Sequence, residues 1–173
     1  MNKKLLFKRY LLWLCVFAIM VFIFVHSAQN GSQSSKTSGS FAKAVLTLFV
    51  PDFSAQGAEI QAELISSMQF IVRKGAHFTV YLLLGFFSFL AMNTYNILTQ
   101  LKTAVALTIS LLYAISDEIH QLFVPGRAGQ VRDVAIDFAG AVCGVAIAAF
   151  LVYLFTKLPK RKEVLSNEEK GLN

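Results

Sequence analysis

TAVALTISLLYAISDEIHQLFVPGR, residues Thr103–Arg127, changes character halfway along. Up to Ile115 it is apolar enough to sit in hydrocarbon. Asp117, Glu118, His120 and Gln121 then arrive within a turn and a half, and Pro125, Gly126 and Arg127 follow. Ionisable groups at the end of a membrane-length apolar run are costly to keep there, so they are either solvated or placed to meet something. Their spacing puts Asp117, His120 and Gln121 on one helical face, with Glu118 turned away by about 100°. Pro125 and Gly126 stop the helix.

The rest of the chain has the same make-up. Of 173 residues, 55% are hydrophobic and only 15% charged, which is too apolar for an ordinary soluble domain. The net charge of +6 is concentrated at the ends, in Lys3, Lys4, Lys8 and Arg9 and in Lys157, Lys160, Arg161 and Lys162. Basic clusters beside apolar runs act as topology signals and contact anionic lipid. No basic region is interleaved with exposed aromatics, which argues against nucleic acid as a partner. Cys15 and Cys143 fall inside apolar segments and read as small buried hydrophobes, with no disulfide or metal site.

Each spanning helix needs roughly 20 apolar residues. The pattern predicts an all-α, polytopic bundle, a single domain over 1–173, with four spans at about 10–26, 76–92, 103–123 and 133–155. The first segment reads as a retained anchor because further spans follow; a cleaved signal peptide is the alternative. Residues 27–75 form the first extracytoplasmic loop. Within it Ser27–Ser40 is rich in Ser, Gly, Gln and Asn and reads as irregular. Two short amphipathic helices follow, one over Phe41–Phe49 and one carrying Ile60, Leu64, Met68 and Ile71. They lie on the outer membrane surface or pack on the bundle. Residues 157–173 form a basic cytoplasmic tail.

Both basic ends then lie in the cytoplasm. The second span starts outside, the third ends outside and the fourth starts outside. Arg73, His77, Asp117, Glu118, His120, Arg127, Arg132, Asp133 and Asp137 therefore share the extracytoplasmic level. His77, Tyr81, Gly85 and Ser88 fall on one face of the second span. Asp133, Asp137, Gly140 and Gly144 form a stripe on the fourth, where Gly-x-x-x-Gly lets helices approach closely. Asp137 lies a turn inside the apolar run and needs a partner: Arg127, Arg132, His77 or a cation. A salt-bridged knot that only locks the bundle is the structural alternative.

Three blocks carry a family resemblance. They are Arg73-Lys74-x-Ala76-His77-Phe78-x-x-Tyr81-x-Leu83-Leu84-Gly85, Ser116-Asp117-Glu118-x-His120-Gln121-x-Phe123-x-Pro125-Gly126-Arg127, and Arg132-Asp133-Val134-x-Ile136-Asp137-x-x-Gly140. In this order, with Ser27-x-Gln29 after the first helix, they resemble the motifs of VanZ-like membrane proteins. Where many relatives carry Asn, this chain has Asp137. The resemblance implies a bacterial cell-envelope protein in the cell membrane. The founding member is associated with low-level resistance to glycopeptide antibiotics, teicoplanin above all.

Two functions follow as expectations. In the first, Arg73, Arg127 and Arg132 bind an anionic headgroup such as a lipid-linked cell-wall precursor, with Tyr81, Gln121, Asp133 and Asp137 completing the substrate-binding set. In the second, an enzyme acts on a lipid-linked or peptidoglycan substrate, with His77, Asp117 and Glu118 as catalytic acid–base candidates. A divalent metal on His77, Glu118, His120, Asp133 and Asp137 suits the ligand types. No HExxH signature, Gly-rich phosphate loop or nucleophile elbow occurs, and no cofactor or metal is assigned. A transporter ranks third, because the polar groups gather at one end instead of crossing the bilayer. Membrane lipids are the expected neighbours; the oligomeric state is not encoded in these patterns.

Overall fold

The computed structural model describes residues 3–171, with side chains described for residues 3–156. It is all-helical among the described residues. Helix α1 runs Lys3–Ser27, α2 Gly31–Phe49, α3 Ala58–Met92, α4 Thr99–Gln121 and α5 Val131–Gly171, with a short 3-10 turn at Phe53–Ala55. Three helices are long and apolar enough to cross a membrane: α1, α3 and the Val131–Thr156 part of α5. Helix α4 has the length, but its polar residues hold its apolarity below that of the other three. The basic side chains of Lys157, Lys160, Arg161 and Lys162 lie outside the described residues.

Two expectations about residues 27–75 are corrected. The Ser/Gly-rich stretch is helical from Gly31 onward. Asn30 caps it, its side chain accepting a hydrogen bond from the Gln33 amide. Ser34, Ser38, Ala42 and Leu46 recur every fourth residue and form the buried stripe. The Ser38 hydroxyl donates back to the Ser34 carbonyl, and Gln69 of α3 donates to both the Ser35 carbonyl and Ser38 Oγ. Small polar side chains here fill a tight helix–helix contact. The segment bearing Ile60 and Leu64 is no separate surface helix. It is the first half of α3, 35 residues long and roughly 52 Å at 1.5 Å per residue. No proline interrupts it, and Gly75 lies exposed within the helix, with open space where a side chain would start.

Helix α3 is the spine. It packs most extensively on α5, and α1, α2 and α4 also contact it. Its seam with α5 is closed by glycine. A Cβ on Gly144 would lie 1.9 Å from the Leu82 carbonyl oxygen, one on Gly140 2.3 Å from that of Phe78, and one on Gly85 2.3 Å from that of Ala141. Only hydrogen fits at these contacts. Val16, Ile23, Tyr81, Leu84 and Ala114 form one buried apolar cluster and Phe89, Ala106, Val145 and Ala148 another. Cys143 is exposed on α5, not buried as expected, because it lies off the glycine face; Cys15 is half-buried and both are free.

The two ends of the bundle differ. At one, Arg9 donates to Thr94 Oγ1 and to the Thr94 carbonyl, and stacks over the Tyr95 ring at 3.9 Å. Trp13 Nε1 donates to the Tyr95 hydroxyl. At the other, the end of α1, the end of α4, the start of α5 and the middle of α3 converge, and the polar residues gather there.

Candidate functional site

The polar end is built from four helices. His77 comes from α3, Asp117 from α4 and Asp137 from α5, and one ligand atom from each lies within 4.8 Å of the other two. His77 Nδ1 is 3.6 Å from Asp137 Oδ1, an ion-pair distance too long for a hydrogen bond. Asp137 is fully buried, and neither of its oxygens has a hydrogen-bond partner among the described residues. Asp117, 4% exposed, is held from α1. The Ser27 hydroxyl donates to Asp117 Oδ2 at 2.9 Å, and Gln121 Nε2 donates to the same oxygen at 3.2 Å. Gln121 also reaches Ser27 Oγ at 3.4 Å. Tyr81, one turn beyond His77, is fully buried, and its hydroxyl has no hydrogen-bond partner among the described residues.

A cavity of about 730 Å³ opens beside this cluster, between α1, α2 and α3. Its apolar wall includes Phe22, Ile23, Phe41, Val72, Val80 and Leu83. Phe22, Phe41 and Leu83 on its wall are substantially exposed. Its polar wall carries Ser27, Arg73, His77, Tyr81 and Arg127. Arg127 is held from the α4–α5 connection by donating from Nε to the Gln29 carbonyl and from Nη2 to the His26 carbonyl. Burial, and next the positive charge of Arg73, hold the Arg127 guanidinium below its usual pKa. Two cations therefore face one space with incomplete neutralisation. Arg73 donates to Ser35 Oγ at 3.3 Å, while its Nε is buried without a hydrogen-bond partner among the described residues. An unpaired buried donor on a cation is costly, and an anion is the natural relief.

The other sequence-derived residues lie elsewhere. Glu118, facing away from Asp117, accepts the Gln130 amide at 2.8 Å and so ties the start of α5 to the end of α4. Asp133 pairs with Lys74, an ion pair that joins α5 to α3. Arg132 is exposed, with its guanidinium 5.4 Å from the Phe70 ring. His120 stacks on Phe24, with centroids 4.7 Å apart. So His77, Tyr81, Arg73 and Arg127 line one cavity, Asp117, Gln121 and Asp137 stand at or behind its His77 wall, and Glu118, Arg132 and Asp133 do not reach it. Sequence reasoning passed over Ser27 as a partner for Asp117 and Lys74 as the partner of Asp133. Lys74 follows Arg73 directly and was hidden in one basic pair. The Ser34/Ser38 spacing was the available sign that α2 forms a wall.

No curated protein and no solved structure matches the chain. The family model described as VanZ/LLP1 matches residues 12–154. That range takes in the cavity, the His77–Asp117–Asp137 cluster and the glycine seam, together with all of α3 and most of the other two helices apolar enough for a membrane. The chain is a membrane protein belonging to the VanZ/LLP1 family.

Proposed function

We propose that the cavity binds the anionic headgroup of a lipid-linked cell-wall precursor at the extracytoplasmic face of a bacterial membrane. The observation that carries this reading is the pairing of Arg73 and Arg127 within a cavity whose remaining wall is largely apolar. Phosphate takes bidentate contacts from guanidinium, and the apolar wall takes the lipid chain. Exposed Phe22, Phe41 and Leu83 face hydrocarbon in this arrangement, so the ligand enters sideways from the bilayer. Sequestering or altering the precursor reduces its capture by glycopeptides of the teicoplanin type, which is the route to a resistance contribution.

In the same reading the whole chain is one domain with four spans, α4 being the fourth. Both termini are cytoplasmic, in keeping with Lys3, Lys4, Lys8 and Arg9 at the start of α1. A membrane-impermeant thiol reagent on intact cells reads this out. Cysteine introduced at exposed Ala128 should react, while one at Lys3 should not; the reverse pattern would overturn the orientation.

Binding is tested with a fluorescent polyprenyl-diphosphate-linked sugar and the purified chain in detergent. Arg127→Ala should weaken binding by about tenfold or more, the scale of a charged hydrogen bond. Raising salt should weaken it further. Equal affinity for wild type, Arg73→Ala and Arg127→Ala would sink the reading. A second reading, a membrane enzyme on the same class of substrate, draws on the His77–Asp137 pair at the cavity wall. Release of free sugar or phosphate from the probe, abolished by His77→Ala, would favour it over binding alone.

A further inference from the structure

We propose that His77, Asp117 and Asp137 form a site for one divalent first-row transition-metal cation, Zn²⁺ or Mn²⁺. Three helices each deliver one ligand to this point, with donor atoms mutually within 4.8 Å. Ligands about 2.1 Å from a tetrahedral ion lie roughly 3.4 Å apart, so side-chain rotations of about 1 Å close the set. The proposal does not depend on proximity alone. Asp137 has no exposed surface, and both its oxygens lack a hydrogen-bond partner among the described residues, while Oδ1 lies 3.6 Å from His77 Nδ1. Buried carboxylates almost always find a donor or a metal.

The charge balance points the same way. When ionised, Asp117 and Asp137 bring two negative charges into a buried region beside one imidazole. A protonated His77 cancels one of these charges; a divalent cation bound to neutral imidazole cancels both. Asp117 is also oriented as metal-bound carboxylates are. Ser27 and Gln121 both donate to Oδ2, which leaves Oδ1 for a ligand bond. One imidazole and two carboxylates suit Zn²⁺ or Mn²⁺ better than the softer copper(I), which prefers sulfur. Three protein ligands leave positions open, and His77 and Tyr81 put them beside the cavity.

This site stands apart from the lipid reading, because neither Arg73 nor Arg127 contributes to it. The full chain is purified in detergent, stripped with chelator and titrated with Zn²⁺, Mn²⁺ and, as a spectroscopic probe, Co²⁺. One equivalent should bind, and Asp137→Asn and Asp117→Asn should each lower the affinity at least about tenfold. Exposed Glu59→Gln should not. X-ray absorption of the Zn²⁺- or Mn²⁺-loaded wild type, which requires no variant to fold, should show only nitrogen and oxygen neighbours including one imidazole. Absence of stoichiometric binding, sulfur ligation, or full affinity in both aspartate variants would each overturn the proposal. Loss of metal with unchanged lipid binding would leave the cavity reading intact.

Discussion

Toward α5, helix α3 presents Phe78, Leu82 and Gly85, and the neighbouring backbone comes so near that Gly140 and Gly144 have no room for a Cβ. Toward α1 and α2 the same helix presents Arg73, His77 and Val80, and a space of about 730 Å³ remains. The two faces differ in residue size and in polarity. Hydrogen-only contacts let the α3–α5 backbones approach, which secures dispersion contact in a setting where lipid removes the hydrophobic drive between helices. Across the cavity, Phe22 of α1, Phe41 of α2 and Arg73 of α3 line the space between the helices. A close-packed seam on one side of α3 thus stands opposite an open volume on the other.

Four substitutions test this contrast, ordered from the largest effect on stability or binding to the smallest. Gly144→Ala should be the most damaging. Its new methyl meets the Leu82 carbonyl, part of the backbone, and the helices must separate. A loss of about 3 kcal/mol is expected, at the upper end for overpacking, read by thermal unfolding in detergent. A stable Gly144→Ala protein would mean the seam is softer than its geometry. Ala76→Phe adds far more volume on the open side, where Ala76 is exposed. It should change stability by less than about 1 kcal/mol, yet block binding of the polyprenyl-diphosphate probe. Ser27→Ala removes one of the two donors to Asp117 and should cost about 1–2 kcal/mol in the same unfolding assay. Lys74→Ala breaks a partly exposed ion pair with Asp133 and should cost less than about 1 kcal/mol, fading at high salt.

Much of this contrast was legible before any coordinates. Spacings of four and three put His77, Tyr81, Gly85 and Ser88 on one face, and Tyr81, Gly85 and Ser88 are buried. The face shared by Asp117 and Gln121 is real, since Gln121 bonds to the carboxylate one turn away. The 100° offset of Glu118 carries it to the Gln130 amide instead. The glycine pair at 140 and 144 announced a close helix contact and makes one.

What stayed hidden depends on tertiary partners. Serine and glycine weaken an isolated helix, so residues 31–40 read as a loop until Gln69 and Arg73 of α3 are there to pair with them. Arg73 and Lys74 looked like a boundary before a span. Arg73 reaches Ser35 and Lys74 reaches Asp133, so the helix continues through both. The His77, Asp117 and Asp137 set has no local spacing to detect, because each member belongs to a different helix. Three rods, with α3 and α5 running one way and α4 the other, bring together residues 20 to 60 positions apart, beyond the reach of any local spacing.

The joint between the α4–α5 turn and the first turn of α2 has a mechanical corollary. The Gly31 amide donates to the Pro125 carbonyl, and a Cβ at Gly31 would sit 2.2 Å from the Gly126 oxygen. Gly126 itself holds φ at +73°. The two pieces touch without any intervening side chain, so they have no slack. The turn is thereby joined to the start of α2, whose Ser34, Thr37 and Ser38 line the cavity, and through Arg127 to the Gln29 and His26 carbonyls at the tip of α1. The α1 and α2 walls of the cavity are thus tied at one point, by a loop that forms none of its apolar wall.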